Sequence, residues 1–160
     1  MKTAIIFYSK RGTTAKIAGL IANELKNNED VALISLKSDK NPDIQEYDKV
    51  ILGTPIYAGN PAKRMVNFYS MNENILMQKE LGLFVCGMIP EKEKEIEELN
   101  NAYPKALLDH AKATGYLGGE FLWEKMNFFE RLVIKKISKS NQSVSKIDFK
   151  AVETFAREMQ

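Results

Sequence analysis

The sequence predicts an α/β fold: a parallel sheet with helices covering both faces. Two observations carry this. Short apolar runs alternate along the chain with segments of helical periodicity. The runs are apolar almost throughout, as strands buried on both faces must be. Length fits one such unit: 160 residues make a single domain, and a domain of this size buries about 70% of the surface its unfolded chain would expose. No internal repeat or interdomain linker divides residues 1–160.

The elements follow in order. Lys2 to Tyr8 is apolar and β-branched and stops at Ser9-Lys10-Arg11-Gly12, a strand followed by a turn. Thr13 or Thr14 suits an N-cap, and Ile17, Ile21 and Leu25 then form a helical stripe. Val31 to Leu36 is a second strand. Val50-Ile51-Leu52 before Gly53 is a third, which Pro55 is expected to end. Ala62 to Tyr69 has helical spacing at Met65, Val66 and Tyr69, and Leu81 to Cys86 is a fourth strand. The charged run Glu91 to Asn101, with Ile96 and Leu99 as its apolar positions, reads as an exposed helix. Tyr116 to Leu122 is expected as the fifth strand. Phe149, Val152, Phe155 and Ala156 mark a terminal helix capped by Asp148.

Composition narrows the chemistry. Apolar residues are 44% and charged residues 28%, an ordinary globular balance that excludes disorder and low-complexity fibres. The longest apolar runs are far shorter than the roughly 18 residues of a membrane span. Cys86 is the only cysteine and His110 the only histidine, so no intrachain disulfide or cysteine metal cluster can form. No metal site and no general base is visible. His110 lies in a helical stretch and reads as solvent-facing or packed. The apolar stretch after Met1 is too short for a secretory signal, and a reducing, cytoplasmic compartment is expected. A net charge of +2 is too mild to imply nucleic acid.

Ligands of such sheets sit at the carboxyl ends of the strands, which directs attention to three loops. In Ser9-Lys10-Arg11-Gly12-Thr13-Thr14, hydroxyls and backbone N–H groups can converge on one anion, and the helix N-terminus favours negative charge. The same residues also suit a capped turn. Neither GxxxxGK[ST] nor GxGxxG is present, which argues against nucleoside triphosphates and dinucleotides. The second loop, Gly53-Thr54-Pro55-Ile56-Tyr57-Ala58-Gly59-Asn60-Pro61, is stiffened by Pro and Gly and offers the Tyr57 ring for stacking. The third is Cys86-Gly87-Met88.

Ser9–Thr14 resembles the flavodoxin phosphate loop, [ST]-x-[ST]-G-x-T, and GTPIYAG resembles the second flavin loop of that family. The resemblance spans the chain in strand–helix order. It implies a three-layer α/β/α domain with five parallel strands ordered 2-1-3-4-5, binding FMN noncovalently. It further implies that Ser9, Gly12 and Thr14, with Lys10, Arg11 and Thr13 in the same loop, hold the phosphate. Thr54 and Pro55 would flank the ribityl chain. Ile56, Tyr57, Ala58 and Gly59 would face the isoalloxazine, and Cys86, Gly87 and Met88 would cover its other side.

Arg11 replaces the middle hydroxyl of the pattern; its guanidinium can bind phosphate bidentately or face solvent. Cys86 can touch a flavin or act as a buried small hydrophobe. The third loop has no aromatic residue where many flavodoxins place a Tyr. Residues 123–146 carry a net +4, leaving −2 for the rest of the chain. Met126, Phe129, Val133 and Ile137 give this segment an apolar face. It reads as an extra helix between the fifth strand and the last helix, either packed on the sheet or contacting a membrane surface or partner. Gly118-Gly119-Glu120-Phe121, Trp123–Ser138 and Phe155-Ala156-Arg157-Glu158 are also similar to the menaquinone-dependent protoporphyrinogen dehydrogenase family.

These readings lead to an FMN-binding redox protein with two functional branches. One is an electron carrier for a redox partner protein. The other is an oxidoreductase on a hydrophobic substrate, a quinone or porphyrinogen, with peripheral contact to the inner face of a membrane through 123–146. A flavin-free signalling module is the weaker alternative, because Tyr8-Ser9-Lys10 supplies no acidic pair for Mg²⁺.

Overall fold

A computed structural model describes residues 1–121 and 144–160. Strand β1 (Lys2–Phe7) leads into helix α1 (Thr13–Leu25), and β2 (Asp30–Ser35) follows. Strand β3 (Lys49–Tyr57) turns through a hairpin into β4 (Asn60–Pro61), ahead of α2 (Lys63–Leu76) and β5 (Glu80–Cys86). Helices α3 (Lys92–Ala102) and α4 (Lys105–His110) precede β6 (Ala113–Tyr116). A short ribbon pairs β7 (Glu120–Phe121) with β8 (Val144–Ser145), and α5 (Phe149–Glu158) is last.

The main sheet runs β2-β1-β3-β5-β6 with every pair parallel, and β4 lies antiparallel on β3. Counted as the five parallel strands, this is the expected order 2-1-3-4-5. Alternation along the strands sorts side chains to two cores. Ala4, Ile6, Leu52, Leu83 and Val85 pack with Met65 and Phe68 of α2 and with Leu99 and Ala102 of α3. Ile5, Phe7, Ile51 and Phe84 pack with Ile17, Ile21 and Leu25 of α1 and with Val152 and Phe155 of α5. Helices therefore cover both faces, giving three layers.

Three expectations are corrected. β3 does not stop at Pro55. It continues to Tyr57, with Thr54 opposite Val85 and Pro55 opposite Cys86. The reason is local. Gly53 faces β1, since its carbonyl accepts the Tyr8 N–H at 3.1 Å. Pro55 has the same parity and faces the side that β1 has left, so its missing N–H breaks no ladder bond. The fifth parallel strand is Ala113–Tyr116, not Tyr116–Leu122. Lys112 N–H on the Leu81 carbonyl (2.7 Å) sets its register, and Gly118, with φ 79°, turns the chain out of the sheet. Residues 120–121 then belong to the separate ribbon. Finally, Gly12 rather than Thr13 or Thr14 is the N-cap of α1. The Asp148 cap is as expected, its Oδ1 accepting the Ala151 N–H at 2.9 Å. The extra helix expected within 123–146 lies outside the described residues.

Candidate functional site

The first loop is shaped by Ser9 and Gly12. Ser9 Oγ accepts the Gly12 N–H at 3.0 Å, and Gly12 takes a left-handed conformation with φ 99°. The Lys16 N–H then bonds the Gly12 carbonyl at 2.9 Å and starts α1. Thr13 and Thr14 thus become the first helical residues rather than the cap. No side chain caps this helix, and its first turn carries no carboxylate. First-turn N–H groups lack intrahelical acceptors and sit at the positive end of the helix dipole. With the Ser9 hydroxyl proton they form a donor set for an anion. Lys10 and Arg11 add positive charge beside it.

The second loop is a hairpin built on the end of β3. Tyr57 opposes Asn60, and the two residues between take positive φ: Ala58 at 49° and Gly59 at 79°. Two-residue hairpins need this conformation, and Tyr57 at the end of β3 is left 45% exposed. Burial around its hydroxyl raises the Tyr57 pKa, and Arg11 opposes that shift. Thr54 is fully buried. Its hydroxyl accepts the Ala62 N–H at 3.0 Å and donates to the Pro55 carbonyl at 3.1 Å. Thr54 therefore sets the shape of the loop from beneath. Gly53 is needed one residue earlier, because a Cβ there would lie 2.0 Å from the Phe84 ring.

The third loop leaves β5 at Cys86. Burial pushes the Cys86 thiol up to about 12, against a Thr14 hydrogen bond that lowers it. Gly87 and Met88 are half-buried. The Gly87 N–H bonds the Gly118 carbonyl at 3.0 Å, and the Ile89 N–H donates to Tyr116 Oη at 3.0 Å. Tyr116 is itself bonded to Glu98 of α3.

The structure joins the three loops at one end of the sheet. Lys10 Nζ lies 5.9 Å from the Tyr57 ring centroid, linking the first and second loops. Thr14 on Cys86 links the first and third, and Pro55 opposite Cys86 links the second and third. The Thr14 and Thr54 side chains are both buried. Gly12 and Thr13 are half-buried and Tyr57 is exposed, whereas Ser9 is buried. His110 stands apart, its Nε2 donating to the Lys79 carbonyl at 2.9 Å. No cluster able to hold a metal ion occurs among the described residues. A cleft of about 360 Å³ lies at the sheet edge between β6 and α5, lined by Thr114, Tyr116, Lys150 and Thr154, away from the first two loops. Donor chemistry, not the size of a depression, singles out the three loops.

Sequence reasoning gave Tyr116 and Glu98 no part in the third loop, and it read Gly118–Gly119 as strand rather than as the segment that bonds Gly87. Their signal was available only in part: Gly118-Gly119 stands out, but its partner Gly87 is 31 residues away in sequence.

Fold and site together define an open, doubly wound α/β domain with three loops gathered at the carboxyl ends of its central strands. The chain belongs to the flavodoxin domain family, which it matches over residues 4–148. It is 24% identical over 173 aligned residues to protoporphyrinogen IX dehydrogenase (quinone) of Escherichia coli K12, covering 99% of this chain and 94% of that one. It is likewise 24% identical over 168 residues to the Leishmania major protein of that name, covering 97% of this chain and 73% of that one. Among solved structures, oxidised flavodoxin 1 from Bacillus cereus superposes with a TM-score of 0.62 at 16% identity, covering 99% of this chain and 97% of the other. No helix among the described residues is long and apolar enough to cross a membrane.

Proposed function

We propose that this chain binds FMN noncovalently in the three loops and transfers electrons through it. The observation that carries this reading is the joining of those loops around an uncapped, carboxylate-free helix N-terminus. Family membership supports it. The residues present fit the group. The Ser9 hydroxyl and the backbone N–H groups of Gly12's successors, Thr13 and Thr14, hold a phosphate, with Lys10 and Arg11 balancing its charge. Ile56, Tyr57, Ala58 and Gly59 line the ring, and the exposed Tyr57 face stacks on it. Thr54 and Pro55 fix the loop that presents them, while Cys86, Gly87 and Met88 close the other side. FMN, when bound, supplies the redox chemistry; the chain binds it, orients it and limits access of water. Purified protein is expected to be yellow and to carry FMN near stoichiometrically. A colourless protein that takes up no added FMN overturns the reading.

A second reading is favoured by a specific observation: the relatives that match nearly the whole chain are named protoporphyrinogen IX dehydrogenase (quinone). On this reading the bound FMN serves oxidation of a porphyrinogen with a quinone as acceptor. The basic segment 123–146 then contacts a membrane surface, the source of the quinone. A quinone-coupled protoporphyrinogen oxidation assay on the FMN-loaded protein separates the two. Turnover supports the enzyme; none leaves an electron carrier serving a redox partner protein.

A further inference from the structure

Tyr116 reaches the third loop from outside it. It sits at the end of β6, next to the strand that carries the loop. Its hydroxyl accepts the Ile89 N–H at 3.0 Å. With that lone pair taken, the hydroxyl proton is free for an acceptor, and Glu98 of α3 provides the carboxylate. A backbone amide, a phenol and a carboxylate from three elements thus meet beside Gly87.

The loop is built to admit these groups. A Cβ on Gly87 would lie 2.5 Å from Tyr116 Oη and 3.3 Å from Glu98 Oε2. Only glycine lets the hydroxyl lie against the loop backbone. The other flank is equally close: a Cβ on Gly119 would lie 3.0 Å from the Gly87 carbonyl oxygen and 3.2 Å from Met88 Cγ. Gly87 N–H to the Gly118 carbonyl completes the contact. Residues 87–89 are therefore held between Tyr116 on one side and Gly118–Gly119 on the other.

We infer that Tyr116, anchored by Glu98, is a positioning residue that fixes the third loop in its ligand-binding shape. The inference rests on the FMN reading above for its ligand. Tyr116 does not touch the ring in this account; it acts through the Ile89 amide. Glu98 acts one step further back and supplies the acceptor that orients the phenol. Burial raises the Glu98 pKa, Tyr116 opposes this, and Glu95 and Glu97 on the same helix reinforce it. The carboxylate therefore gains from the phenol as well as holding it.

The test compares Tyr116→Phe, Glu98→Ala, Glu98→Gln and the double variant Tyr116→Phe/Glu98→Ala. Tyr116→Phe keeps the ring and leaves the Ile89 N–H without its acceptor. It is expected to weaken FMN binding about tenfold, the usual effect of losing one half-buried hydrogen bond, and to shift the midpoint potential of the bound flavin. Glu98→Ala moves both in the same direction. Glu98→Gln, which still accepts from the phenol, stays within about twofold of the parent. The double variant is no worse than the more affected single, as expected for groups that act as one unit. In FMN-free protein, Tyr116→Phe also speeds hydrogen exchange at Ile89 about tenfold. Unchanged affinity, potential and Ile89 exchange with only a lower Tm would make Tyr116 a packing residue and overturn the inference. If Tyr116→Phe fails to fold, the contrast between Glu98→Ala and Glu98→Gln decides. If the parent binds no FMN, the flavin reading fails, and Ile89 exchange alone decides whether the clamp exists.

Discussion

Cys86 and Thr14 show how single side chains join the loops. The pattern of the first loop marks Thr14 as part of a phosphate seat. Because α1 begins at Thr13, the Thr14 side chain turns into the protein, where it is 1% exposed and bonds Cys86. Spacing alone could not reveal that turn, since one residue's shift in the helix start redirects every side chain of the first turn. Cys86 is 3% exposed, and its thiol is pushed up to about 12 by burial. The reactive form of cysteine is the thiolate. With that pKa, about one molecule in ten thousand carries it at pH 8. The folded protein is therefore expected to resist iodoacetamide at pH 8 and to react readily once unfolded in urea. Rapid labelling of the folded protein would show that the third loop opens on its own. Among the sequence readings of Cys86, a small buried hydrophobe matches its surroundings.

At the scale of elements, the sheet and its helices were legible because periodicity reports which faces are buried. The strand at β6 was not. Its four residues include Thr114 and Gly115 and present little apolar signal, whereas Leu117 and the apolar residues beyond it attract the strand assignment. Backbone conformation decides the matter at Gly118. Its φ is 79°, and a Cβ there would lie 2.1 Å from the Lys146 carbonyl and 2.9 Å from the Asp148 amide. Lys146 N–H to the Gly119 carbonyl (2.8 Å) and Asp148 N–H to the Leu117 carbonyl (3.1 Å) lock the same junction. Lys16 of α1 adds an ion pair to Glu120 at 2.9 Å, with the Glu120 side chain 4% exposed. Glu120 is thereby held against α1, and Lys146 and Asp148 against residues 117–119. Gly118→Ala is expected to cost about 3 kcal/mol or more in urea unfolding, because backbone atoms cannot move aside. Gly59→Ala, at the same φ but with nothing within 4 Å, is expected to cost only about 1 kcal/mol. Equal costs would mean that the Gly118 junction is loose.

Across the whole molecule, the two ends of the sheet do different work. The carboxyl ends of β1, β3 and β5 carry the three loops proposed to bind FMN. The opposite end is closed by a buried ion pair that no sequence pattern announced, since a lysine at the start of a strand reads as solvated surface. Lys49 Nζ bonds the Glu29 carboxylate and the Met159 carbonyl, and Glu29 also accepts from the Thr3 hydroxyl. The side chains are 1% and 6% exposed. The cluster ties β1, the turn before β2, β3 and the C-terminal residues together, and it stands at the first residue of β3. At roughly 3.3 Å per residue, Tyr57 at the far end of that strand is about 26 Å away. Glu29→Gln leaves Lys49 buried without a counter-charge and is expected to lower stability by roughly 3–5 kcal/mol. Adding Lys49→Met removes the stranded charge and is expected to restore most of the loss, because a buried pair and an apolar replacement are often nearly equal in stability. FMN affinity, measured on whichever variants stay folded, is expected to match the parent. A single variant as stable as the parent would show that water reaches Lys49. Restored stability with weakened FMN binding would show instead that the two ends of the sheet are coupled, through β3 as the strand they share.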